Sequence, residues 1–386
     1  MAKIIDFNNF SKNGKINKLL KKLLIPIAIL IVIIFILLIY ASVGETKRSN
    51  IADSFRAIPS TFGDSPGYPY SEDDLSLMKM VLIGDKPLLV SSSGVQVLSP
   101  DADELFNLHL EWGDTKAVSS NGRALIFSNT SDKSYLISRT KELAEFDADG
   151  ITYTGTVSKN GSVAIASRLD DVQSYVQVFN TRQKLIFAWE CSKDYVSSLA
   201  LSSSGKKVVV SAVGVENAEI YSRVILFKSG KDAPSFEKKY RGTSILKTVY
   251  TSGGKIIAVG DNKTVILNSK GKELQTVEYA DDALYSVNND LSGNTLLAYK
   301  EFGGSKIKVI VIPSVGKNNK EFELDYMPSC LDIRKNKVCA SVGNEVTVYS
   351  AAGNVKKKYD CKSNVSSVSL TSVGIFTVEN GSICKY

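Results

Sequence analysis

One phrase recurs along this chain: a polar turn, a glycine or asparagine, then an apolar run rich in β-branched residues. It reads LIGDKPLLVSS from residue 82, VSSNGRALIFS from 118, VSKNGSVAIAS from 157 and LSSSGKKVVVS from 201. YTSGGKIIAVG from 250, NDLSGNTLLAY from 289, DIRKNKVCASV from 332 and LTSVGIFTVEN from 370 continue the series. The turn positions Gly84, Gly122, Gly161, Gly205, Gly254, Gly293, Asn336 and Gly374 stand 38 to 49 residues apart. Glycine and asparagine tolerate the left-handed conformation that tight hairpins need. A period of about 40–50 residues is that of propeller blades.

Each unit contains four short strand-like runs. In the fourth unit they cover 196–201, 207–213, 221–227 and 236–240. The second run is almost continuously apolar, as a strand buried on both faces should be. The later runs alternate more, as strands with one wet face should. One four-stranded sheet cannot cover its own faces. Stacking such sheets around an axis buries them and shortens the exposed edges. The expected fold is therefore all-β, a β-propeller. Counting third strands gives eight four-stranded blades, with seven as the alternative if one unit is divided wrongly. The chain stops at Tyr386 on a third strand. A fourth strand for the last blade must then come from the N-terminal side, around Gly67-Tyr68-Pro69-Tyr70. This assigns residues 67–386 to a propeller closed by an N-terminal strand.

Residues 23–43, LLIPIAILIVIIFILLIYASV, are uncharged throughout. At ~1.5 Å per residue they match the ~30 Å hydrocarbon core of a bilayer. The run exceeds the roughly 7–15 apolar residues of a cleavable signal, so an uncleaved transmembrane helix is expected. Lys12, Lys15, Lys18, Lys21 and Lys22 precede it, whereas the following flank is mixed in charge. The positive-inside rule places the tail, residues 1–22, in the cytoplasm and the rest outside. Residues 44–66 read as a linker. The expected location is the cell membrane, single-pass, with the propeller extracytoplasmic.

Composition excludes several functions. The net charge of +7 is mild, and lysine outnumbers arginine along the chain. A nucleic-acid surface would want dense arginine and aromatic clusters, so no nucleic-acid partner is expected. Five cysteines, Cys191, Cys330, Cys339, Cys361 and Cys384, form no CxxC pair. They read as small buried hydrophobes. A disulfide between Cys330 and Cys339, on neighbouring strands, depends on register.

The basic tail, the apolar span, Gly67-Tyr68-Pro69 and the stretch SSNGRALIF at 119–127 resemble a family of uncharacterised propeller proteins. These are single-pass, membrane-anchored proteins of Gram-positive anaerobic bacteria, a domain-of-unknown-function family. Wider resemblance extends to quinoprotein-like and WD40-like propellers, including the outer-membrane assembly lipoprotein B type. The resemblance implies a fold and a location and no catalytic residues.

No catalytic motif is visible. His109 is the one histidine and falls in an outer-strand run, which rules out histidine-rich metal sites and leaves no triad in a cleft. Trp112 and Trp189 lack the spacing of a quinone-docking motif, and no phosphate-binding glycine loop occurs. No cofactor is expected. The acid pairs Asp101 with Asp103, Asp170-Asp171 and Asp281-Asp282, and the segment Asp147-Ala148-Asp149-Gly150, read as turns. The longest loops between second and third strands lie at 168–174, 213–220 and 301–305. Insertions on one face of a repeat array mark a binding face. Arg168, Asp170, Asp171, Glu216, Asn217, Glu219 and Glu301 are the candidate partner surface. Two classes of function follow. One is a non-catalytic scaffold that binds an envelope protein or polymer. The other is a cell-surface glycan hydrolase or lyase using carboxylates in the propeller funnel. Convergent acids in the funnel would favour the second, and a lining of hydroxyl and apolar groups the first.

Overall fold

The computed structural model describes residues 26, 27, 30–32, 34, 35, 45–56, 65–71, 77–231, 233–280, 283–300, 303–372 and 374–386. The chain divides into two compact units, residues 1–49 and 50–386. In the first unit the described residues between 26 and 35 are helical, and Ile27, Leu30, Ile31, Val32, Ile34 and Phe35 are exposed. Among the described residues no helix is long and apolar enough to cross a membrane. Most of the 23–43 span lies outside the described residues.

The second unit is an eight-bladed β-propeller. Seven blades are four-stranded antiparallel meanders and the eighth is a three-stranded sheet. The inner strands of blades 1 to 8 are Leu77–Ile83, Thr115–Ser120, Ile151–Val157, Tyr195–Leu201, Ile245–Tyr250, Leu284–Asn289, Cys330–Arg334 and Val365–Leu370. Blade 8 continues with Ile375–Glu379 and Ser382–Lys385. Its fourth position is taken by Tyr70, whose N–H and C=O both bond to Ile383 at 2.8 Å. The expected N-terminal closure is met by this one bridging residue and not by a full fourth strand.

Eight separate hydrophobic clusters hold the ring, one at each seam between neighbouring blades. Blade 4 shows why. Val208, Val210 and Ala212 on its second strand face blade 3, with Phe187 and Val178. Val209 on the same strand faces blade 5, with Ile256 and Ala258. A strand alternates sides at every residue, so a run apolar at every position can fill two seams. The closing seam buries Met80, Leu89 and Leu98 of blade 1 against Phe376, Val378 and Ile383 of blade 8, with Tyr68 and Tyr70 packed on them. Tyr68 meets Phe376 edge-on at 5.3 Å between ring centres.

Four details differ from the sequence reading. In blade 7 the positive φ falls on Lys335, at 55°, and not on Asn336. Gly374 does not adopt a positive φ. It is needed because a Cβ there would stand 2.2 Å from the carbonyl oxygen of Tyr386. Residues 213–220 are not a loop. They finish a long hairpin, Lys207–Glu216 with Glu219–Lys228, turned by Asn217 and Ala218. Inside the expected linker, Glu45–Arg56 is a helix, α1. Its Asp53 is fully buried, ion-paired to Arg123 at 3.5 Å and accepting hydrogen bonds from Ser138 and Thr140. Asn50 donates to the Asn121 carbonyl at 3.0 Å, in the first turn of blade 2.

Register also decides the cysteines. Cys330 pairs with Ser341, whereas Cys339 pairs with Asp332. All five cysteines are free thiols.

Candidate functional site

The eight inner strands surround a central cavity of about 860 Å³. The first turns of six blades rim it, through Gly84, Asn121, Lys159, Ser203, Gly293 and Lys335. An inner strand has no further strand to pair with on the channel side, so its backbone groups need other partners. Polar side chains supply them across seven of the eight seams, and a side-chain pair bridges the eighth. Ser119 donates to the Leu82 carbonyl at 2.5 Å, joining blades 2 and 1. Asn121 reaches the Lys159 carbonyl at 2.9 Å and Asn160 the Ser204 carbonyl at 2.7 Å. Ser197 donates to the Ile245 carbonyl at 2.7 Å. Lys247 reaches the Val287 carbonyl at 3.3 Å, and Asn288 the Leu331 carbonyl at 2.6 Å. The Leu370 N–H donates to Asp332 at 2.7 Å, and Ser372 donates to Asp85 at 2.7 Å, which closes the circuit.

Two of these latches are ionisable groups inside the channel. Burial pushes the Lys247 ammonium down to about 8, with the Lys79 charge acting the same way and Asp332 opposing. Burial raises the Asp332 carboxyl to about 6, against the backbone N–H groups of Leu370 and Ile333 that favour its ionised form. Asp290 is the other acid in the channel lining. Its oxygens are taken by the N–H groups of Ser292, Asn294 and Lys335 and by the Asn294 amide. The rest of the wall is mostly hydroxyl and apolar, with Thr154, Thr156, Ser198, Thr248, Ser367 and Ser369 prominent. Among the described residues no group of histidine, cysteine and acidic side chains is placed to hold a metal ion. His109 is exposed at the end of the outer strand Glu104–His109.

The candidate partner residues lie on the opposite face of the ring from the rimming turns. Arg168, Asp170 and Asp171 are exposed in the connection between the second and third strands of blade 3. Glu216, Asn217 and Glu219 form the tip of the blade 4 hairpin. Glu301 lies outside the described residues, as do Asp281 and Asp282. The two described groups sit on neighbouring blades, and the Arg168 charge acts on Tyr195 at the start of blade 4. The hairpin acids are already partnered. Glu216 pairs with Lys239 at 2.8 Å and with Arg241 at 2.5 Å, which holds its carboxyl below the usual range, and Glu219 pairs with Arg241 at 3.5 Å.

Apolar side chains on the same face escaped the sequence reading. Val215 and Ile220 on the blade 4 hairpin are exposed, as are Tyr195, Leu246 and Tyr285 near the starts of inner strands. Tyr326 and Met327, between blades 6 and 7, are 71% and 57% exposed. The sequence signal for them is weak, because single apolar residues in connections look like ordinary strand ends. Their common face becomes visible only once the strands are placed.

A family model described as a family of unknown function, DUF5711, matches residues 69–383. The chain belongs to that family. No curated protein matches this DUF5711 chain in sequence. Among solved structures it is similar to BamB from Moraxella catarrhalis, with a TM-score of 0.52 at 10% identity, over 80% of this chain and 96% of that one. It is also similar to the β-propeller domain of Cps50 (Swd1) from Myceliophteria thermophila, with a TM-score of 0.51 at 10% identity, over 82% of this chain and 98% of that one. At this identity the likeness concerns the fold alone.

Proposed function

We propose that this DUF5711 propeller is a non-catalytic binding module of the Gram-positive cell envelope, tethered by residues 23–43 with the ring outside the membrane. Its partner is an envelope protein or polymer, bound on the face that carries the Asn217 hairpin. The observation that carries this reading is the run of exposed apolar side chains from blade 3 to blade 7 on that face: Ile151, Tyr195, Val215, Leu246, Tyr326 and Met327. Clustered exposed apolar groups rimmed by charge mark interaction sites, and aromatic residues and methionine are enriched there. Arg168, Asp170, Asp171, Glu216 and Glu219 supply the charged rim. Residues 50–56 of α1 are docked on the other face, against Asn121 and Thr140, and do not cover the patch.

The channel chemistry supports the non-catalytic reading over glycan cleavage. Two-carboxylate glycoside chemistry needs a pair of acids free to act on one bond. Among the described residues Asp332 faces no such second acid, because Asp290 is saturated by local donors.

The test is site-specific photocrosslinking in intact cells. A photoreactive residue at Val215 or Tyr326 is expected to give a discrete adduct, and one at Val355, exposed on an outer strand of blade 7, is not. Equal adducts from all three positions, or none, would overturn the proposal.

A further inference from the structure

The inner strands of blades 1, 3, 4, 5, 6 and 8 each carry a β-bulge near their starts. A bulge inserts one residue and re-aims the side chain that follows. The residues immediately after the bulge are therefore equivalent. They are Lys79, Thr154, Ser198, Lys247, Ser286 and Ser367. Four are hydroxyl residues and two are lysines. The lysines belong to blades 1 and 5, which stand across the axis from one another in an eight-bladed ring.

Both lysines line the channel, and the Lys79 charge acts on Lys247. Lys247 is held by the Val287 carbonyl, which takes one of its three N–H donors. Among the described residues Lys79 has no ion-pair partner. The other lining cations do not change the balance in favour of acid. Arg334 is committed to Asp85 at 2.7 Å, and Lys159 and Lys335 add positive charge at the rim. The lining acids are Asp290 and Asp332 alone among the described residues. Two like charges facing each other in a confined space raise the energy of the empty channel, and an anion between them removes that repulsion.

We propose that the channel is a binding site for a small phosphorylated molecule, whose phosphoryl dianion sits between the ammonium groups of Lys79 and Lys247. Two compact ammonium charges match one dianionic group. Planar carboxylates are favoured by a bidentate guanidinium, and the one in the channel is occupied by Asp85. Hydroxyls of Thr154 and Ser367, at equivalent positions around the wall, are donors to the remaining oxygens. The site lies inside the ring and is independent of the outer apolar face.

The test uses the full-length chain in non-ionic detergent, titrated with pyrophosphate by calorimetry, with succinate as the dicarboxylate comparison. Pyrophosphate is expected to bind one to one, and Lys79→Gln is expected to weaken it about tenfold, the loss of one charge-assisted contact. Lys79 makes no latch and its removal relieves repulsion on Lys247, so this variant should melt at or above the wild-type temperature, whereas Lys247→Gln also loses a seam contact. Lys356→Gln on an outer strand is the control and should bind as wild type. Unchanged affinity in Lys79→Gln, equal weakening in Lys356→Gln, or no pyrophosphate binding to the wild type would each overturn the site. Succinate binding as tightly as pyrophosphate would overturn the phosphoryl assignment.

Discussion

Asp332 shows how one residue can serve a seam at a cost. Its carboxylate accepts the Leu370 N–H across blades 7 and 8, yet burial raises its pKa from 3.8 to about 6. An acid with a raised folded pKa binds its proton more tightly in the folded chain than in the unfolded one. Stability therefore falls as pH rises from about 4 to 6, and is level above that range. Asp332→Asn keeps an acceptor for the Leu370 N–H and removes the ionisation. Its stability relative to wild type is expected to be near zero at pH 4 and to rise to about 2 kcal/mol at pH 7, after discounting for channel water. Denaturant melts at the two pH values check this, and a pH-independent difference would sink it. Lys247 follows the opposite sign. Its penalty is full at neutral pH and is relieved as pH climbs from about 8 towards 10.5.

Elements rather than residues explain what was hard to read. The blade 4 hairpin tip, 213–220, looks like a loop because glycine, asparagine and two glutamates interrupt its few apolar residues, and Val215 and Ile220 stay exposed. Its pairing is held by the backbone ladder down to Glu216 with Glu219, and by Lys239 and Arg241. The turn itself has φ of 53° at Asn217 and 62° at Ala218. Two positive φ values define the type I′ hairpin, for which asparagine then glycine is the favoured pair. Ala218→Gly is therefore expected to stabilise the protein by about 0.5–1 kcal/mol, since alanine is strained there. Thermal denaturation decides it, and a lower melting temperature would be the wrong result. The bulges were equally hidden. An inserted residue such as Leu246 or Tyr285 has no distinguishing side chain, and the skip appears only in the pairing with the second strand.

For the whole molecule the decisive contact joins the two ends of the propeller. Tyr70 pairs with Ile383, and the seam behind it packs Tyr68 on Phe376. Without it, Ser382–Lys385 would be an open sheet edge, which favours unwanted pairing with other chains. Tyr70→Pro removes the N–H that bonds the Ile383 carbonyl. Hydrogen exchange at Ile383 is expected to accelerate and the melting temperature to drop, with more aggregation on heating. Unchanged protection at Ile383 would mean that closure rests on side-chain packing alone.

The repeat itself was legible because each blade must state its own turn and its own doubly buried strand: glycine at positive φ in Gly122, Gly161, Gly205, Gly254 and Gly293, then apolar residues such as Val208 to Val210. Counting those units gave eight blades with seven as the alternative, and the pairing of the strands decides for eight. What the sequence could not hold was anything that depends on which residues meet across the axis or share a face. Lys79 and Lys247 are far apart in the chain and unremarkable singly, and only closure of eight blades makes them neighbours. Likewise Val215 and Tyr326 come to the same face only through the ring, because exposure and charge proximity are properties of the packed molecule and not of local order.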